Sequence, residues 1–265
     1  MPFVNSYSLG DIMDLMSFGS FASSHFGSQG RVLAALSEVA ILLPVFLLLF
    51  TWRGFTQALF AKWMGDTTPE EDGFLTLNPL AHVDLVGLLT ILGAFFVIAG
   101  FLPGAIPRAV LLMMLVMMGV RWTYPVYVNE ARLHNYRVGG IITTLAGPMG
   151  NFFLGFLAVG VIKLLLQCNL PQSTLLSLIE IFKTLLEIAL FFGVIDLIPL
   201  PPFDGGKLLR FLLPYNQQFI VQKLEEYSLY IMLFLFFMPG VSDVFFRLIA
   251  GVAFAIKQLF FSIFF

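Results

Sequence analysis

"TWRGFTQALFAKWMGD", Thr51 to Asp66, closes one apolar run and opens an acidic loop. Upstream, the run reaches back to about Val32, long enough to cross a bilayer with tilt, since a crossing needs about 20 mostly apolar residues. Downstream, the loop from Gly65 to Ala81 carries Asp66, Glu70, Glu71 and Asp72 but no Lys or Arg. The rest of the chain has the same character. It is 59% hydrophobic and 11% charged, with 31 Phe and a mean hydropathy of +0.93. A soluble domain of 265 residues needs more charge to cover its surface, so the chain reads as an all-α polytopic membrane protein. A net charge of −2 argues against nucleic acid as a partner, which would call for a basic face. The single cysteine, Cys168, excludes an internal disulfide and a thiolate zinc cluster. Residues 1–30 are polar and rich in Gly and Ser, with no basic segment feeding a short apolar core. They read as an exposed or partner-docked arm rather than a signal peptide, which leaves 31–265 as one membrane domain.

Further apolar stretches run from Val83 to about Val120, Gly139–Leu166, Leu176–Leu200, Tyr227–Met238 and Val241–Phe265. With the first run they make about six transmembrane or re-entrant helices, joined by short extended segments. "PGAIPR", Pro103 to Arg108, breaks the second stretch, and a re-entrant or interfacial helix is expected after it in preference to an extra crossing. The loops around Arg121–Arg137 and Lys207–Lys223 are basic, whereas Gln167–Thr174 has no Lys or Arg. The positive-inside rule puts the two basic loops in the cytoplasm.

Three segments share the order and spacing of one family. They are Thr51–Asp66 extended through "GFLTLNPLAHVDLVG" (Gly73–Gly87), "YPVYVNEARLHNYRVGGIITTLAGPMGNFF" (Tyr124–Phe153), and "FFGVIDLIPLPPFDGGKLLRFLLP" (Phe191–Pro214). Together they resemble the short bacterial site-2-protease-like intramembrane metalloproteases, peptidase family M50. The resemblance implies a bacterial inner-membrane, multi-pass protein. It also implies a zinc held by two histidines of H-E-x-x-H and by the Asp of N-x-x-P-x-P-P-x-D-G. A catalytic zinc needs three protein ligands and an open position, and the Glu acts as general base. Here the third-ligand position is Asp204. The two histidine positions hold Arg53 and Gln57, the Glu position holds Gly54, and the Asn position holds Asp196.

An arginine stays protonated and offers no lone pair, Gln57 offers only a neutral oxygen, and Gly54 has nothing to move a proton. The expectation is therefore a catalytically inactive relative, with no catalytic residue, no metal and no cofactor. Its partners are membrane lipids and other integral subunits of a larger complex, for which it acts as scaffold. Two other readings stay open: a pseudoprotease that escorts transmembrane peptides, and a divergent zinc peptidase. His82 in "NPLAHVD" is expected to make a structural hydrogen bond, His134 to lie in the basic loop and His25 in the arm. "YPVYV" reads as extended, and Asn151 in "AGPMGN" as a hydrogen-bonding contact between helices.

A carboxylate deep in a helix bundle costs about 2.5–3.5 kcal/mol on insertion scales unless it is compensated. Arg53 can supply that charge to Asp204 or Asp196, with Gln57 one turn along as a further donor. The other course open to Arg53 is to snorkel to lipid phosphate.

Overall fold

A computed structural model describes residues 31–90, 123–238 and 240–265. The expectations for the 1–30 arm and for the break at Pro103–Arg108 lie outside the described residues.

The regular elements among the described residues are all helices, with no β-strand among them. Helix α1 is Arg31–Trp63, the short α2 is Thr68–Glu71, α3 is Tyr136–Gln167, α4 is Gln172–Asp196, α5 is Asp204–Leu212, α6 is Gln218–Glu226, α7 is Ser228–Phe237 and α8 is Val241–Phe264. Among them, Leu42–Trp63, α3 and α8 are long and apolar enough to cross a membrane. Helix α4 has the length, at 25 residues, but carries Glu180, Lys183 and Glu187. The apolar segment expected at Tyr227–Met238 forms the ten-residue α7, about 15 Å long at 1.5 Å per residue, half of a hydrocarbon core. It therefore does not span alone. The stretch expected to run to Leu200 stops as a helix at Asp196, several residues before Pro201-Pro202.

Helix α3 is the hub, packing against α1, α4, α5 and α8. Its start is set by Asn135, whose side chain accepts from the amides of Arg137 and Val138. The core joins Val45 and Leu49 of α1, Leu154, Ala158 and Ile162 of α3, Leu186 and Leu190 of α4, and Phe261 of α8. Small residues at Ala158 and Ala189 let α3 and α4 approach closely. The phenylalanine-rich end of the chain takes part in this packing: Phe261 is fully buried, and Phe260 and Phe264 lie against Phe156 of α3. Lys163 of α3 donates to the Phe264 carbonyl. An ion pair joins Glu187 on α4 to Lys257 on α8 at 3.3 Å.

Two loops close one end of α1. Asp66, fully buried, accepts from the Thr68 amide (3.0 Å), the Thr68 hydroxyl (2.6 Å) and the Asn129 amide (2.7 Å). Nearby, Arg132 bonds Glu71 at 3.0 Å, and the Thr67 hydroxyl and this guanidinium hold the Glu71 carboxyl below the usual carboxylate range. Tyr124–Asn129 forms neither helix nor strand, and the Tyr124 amide donates to the His82 carbonyl beside an isolated Val83–Thr123 bridge. The described part thus bends back onto the end of α1 through Asp66. Replacing Asp66 by Ala strands three donors and is expected to cost about 3 kcal/mol, read as a lowered unfolding midpoint in detergent with faster proteolysis between residues 123 and 135.

Candidate functional site

Asp196 is the last residue of α4 and Asp204 the first of α5. The turn between them is tight: a Cβ at Gly205 would stand 2.3 Å from the Ile198 carbonyl oxygen, so only glycine allows this return. Both aspartates consequently face α1, and the side chain that meets them is Arg53. Its Nε lies 3.1 Å from Asp196 Oδ2 and its Nη2 lies 2.5 Å from Asp204 Oδ2. The second oxygen of Asp204 accepts from Lys207 Nζ at 2.8 Å. Helix α3 leaves the space for this contact, because a Cβ at Gly147 would come within 3.3 Å of Arg53 Nε and 3.4 Å of Asp204 Oδ2.

The four charges balance, two cations against two anions. Exposure rises across the group, from 3% for the Asp204 side chain and 10% for Asp196 to 24% for Arg53 and 56% for Lys207. Each buried carboxylate thus has a cation, and the outer lysine reaches the aqueous edge. Lys207 had a visible signal in the sequence, a lysine three residues into the helix that opens with Asp204. The motif, however, draws attention to the aspartate alone.

Gln57 is buried but makes no hydrogen bond to either aspartate among the described residues, so the expected extra donor is missing. Asn151 is a second departure. It is fully buried, and neither its Oδ1 nor its Nδ2 has a partner among the described residues. The α1–α3 bond is made instead by Trp52 Nε1, which donates to the Gly150 carbonyl at 2.9 Å. Small residues at Gly147 and Gly150 bring the helices so close that the backbone carbonyl becomes the nearer acceptor.

These residues do not fit a zinc centre. Both oxygens of Asp204 are engaged by cations, Arg53 has no acceptor, and the described residues hold no group of three His, Cys, Asp or Glu that could hold a metal. His82 is not placed to complete one. It is buried, its Nε2 is 2.9 Å from the Thr76 carbonyl oxygen, and its ring lies against Gly54. His134 is exposed in the basic loop, and its ring packs over Gly65.

The family model described as "Peptidase family M50" matches residues 36–239, a span holding Arg53, both aspartates and the hub helix. This chain belongs to peptidase family M50. A Bacillus subtilis (strain 168) member, named "Putative zinc metalloprotease YwhC", is 27% identical over 231 residues, which cover 86% of this chain and 94% of that protein. No solved structure matches the chain.

The Gly54 contact bears on how this M50 site can be altered. A Cβ at Gly54 would stand 2.5 Å from His82 Nδ1, so the imidazole fills the space where any side chain at this position must begin. Gly54→Ala is expected to cost about 1–3 kcal/mol from overpacking. Its effect on the unfolding midpoint should shrink when His82 is first changed to Ser. Purely additive effects in this double-mutant cycle would refute the contact.

Proposed function

We propose that this chain is a non-catalytic member of peptidase family M50, in which an ion-pair clamp stands where the family's metal chemistry would be. It serves as a scaffold or accessory subunit of a larger membrane assembly. The observation that supports this most directly is the Arg53 guanidinium between Asp196 and Asp204, with Lys207 as the second cation. A metal in the family's position would neutralise the same aspartate. Here a permanent cation supplies that charge and, unlike a metal, offers no open position for water. Gly54 supplies no general base.

A clamp of this kind tightens the bundle without chemistry. Removing one partner of a buried ion pair leaves the other charge uncompensated, which costs about 3–5 kcal/mol. Arg53→Met is expected to destabilise the protein by that amount in detergent. Adding Asp196→Asn and Asp204→Asn to it should recover most of the loss, since no buried charge is then left alone. If the triple variant is as unstable as Arg53→Met, the aspartates are not what Arg53 serves.

The name of the Bacillus relative raises the rival reading, a working zinc peptidase. Purification from native membranes tests both readings. The expected result is a fixed, stoichiometric set of co-purifying membrane subunits, far less than one zinc per chain, and no chelator-sensitive cleavage of a reconstituted transmembrane substrate. One zinc per chain that disappears with Asp204→Ala would overturn the proposal. A changing set of captured peptides in place of fixed subunits would make the protein an escort.

A further inference from the structure

The two basic loops that the charge distribution assigns to the cytoplasmic side meet at one place in the fold. A groove of about 590 Å³ lies between the start of α3 and the α5–α6 pair. Arg137 and Arg210 stand in its wall with Glu225, beside the rings of Tyr136, Phe211 and Tyr215. From these groups we propose that the groove is a binding site for the phosphate of an anionic phospholipid headgroup.

Arg210 is held in place by Glu225 at 2.6 Å and Glu130 at 3.8 Å, and its backbone carbonyl accepts from Gln218 at 2.8 Å. Arg137, one residue into α3, is exposed and has no carboxylate partner among the described residues. The groove therefore has one fixed arginine and one uncommitted arginine, with a single carboxylate in its wall. Asn135 already occupies the amides of Arg137 and Val138, so a ligand here is held by side chains and not by the helix end.

Depth favours a lipid over a soluble phosphate ester. Tyr136 and Arg137 begin a 32-residue apolar helix, about 48 Å long at 1.5 Å per residue, which exceeds a hydrocarbon core of about 30 Å and can carry them into the headgroup region. Tyrosine rings collect at that level, and basic pockets beside transmembrane helices on the cytoplasmic side take acidic headgroups. Tyr136 and Phe211 pack edge to face at 5.3 Å as a firm wall. Close by in the chain, Leu212, Tyr215 and Phe219 are exposed by 53%, 94% and 55%. Of these, Tyr215 lines the groove and gives it an exposed apolar rim that suits acyl chains, whereas a soluble ester has no use for it.

The test uses the whole protein in detergent, comparing phosphatidylglycerol, phosphatidylcholine and soluble glycerol phosphate by native mass spectrometry and thermal unfolding. Phosphatidylglycerol is expected to be retained over phosphatidylcholine by about fivefold or more, the worth of one basic residue at an anionic surface. Arg137→Ala combined with Tyr215→Ala should abolish that preference and leave the lipid-free unfolding midpoint unchanged, because both side chains are exposed. Equal retention of the two lipids, or a preference that survives the double variant, would overturn the proposal. Stabilisation by glycerol phosphate matching that by phosphatidylglycerol would overturn the lipid assignment, since the rim would then contribute nothing.

Discussion

A guanidinium inside a bundle of transmembrane helices has to be matched. It cannot give up its proton, and hydrocarbon offers it no solvent. In this chain the match comes from the end of α4 and the start of α5, so three helices are bound to one planar cation. The remaining local features follow from that meeting. Gly147 keeps α3 out of the way, and Gly205 lets the chain double back so that two aspartates seven residues of turn apart face the same side. Lys207 completes the neutrality at the outer edge.

The same logic recurs on a smaller scale at Glu187 and Lys257. There the pair joins α4 to the last helix, and it accounts for charges in α4 that would otherwise disqualify it from a buried place in the bundle. Buried pairs of this sort add little net stability over a well-packed apolar contact. They do penalise arrangements in which the helices are rotated or shifted. A slip of one residue in α1 turns Arg53 by about 100° away from both carboxylates, given 3.6 residues per turn.

Much of the fold was legible in the sequence, because apolar runs as long as those ending at Trp63 and Gln167 have few alternatives in a bilayer. The two aspartates were legible only through the resemblance to the family motif, and the cost of an uncompensated carboxylate then pointed to Arg53. What the sequence did not disclose was set by distances of closest approach. Gln57 has the right spacing on α1, yet makes no bond to the aspartates. Asn151 has the right character for an interhelical bond, yet the Gly150 carbonyl is what Trp52 reaches. The contact of His82 with Gly54 joins residues far apart in the chain, and no periodicity records it. Hydropathy leaves α7 open as a transmembrane or re-entrant segment because it measures composition, while crossing depends on length, and the chain turns at Gly240, where φ is +83°.

The separation of the clamp partners along the chain has a consequence for synthesis. Arg53 and Asp204 are 151 residues apart, and Glu187 and Lys257 are 70 apart. At a translation rate of about 5–20 residues per second, Arg53 leaves the ribosome roughly 8–30 s before its second aspartate exists. Through that interval α1 must wait with an unmatched cation, held by the insertion machinery or at the lipid surface. A helix made before the other described ones is therefore among the last to settle, and the clamp closes only once α5 has emerged.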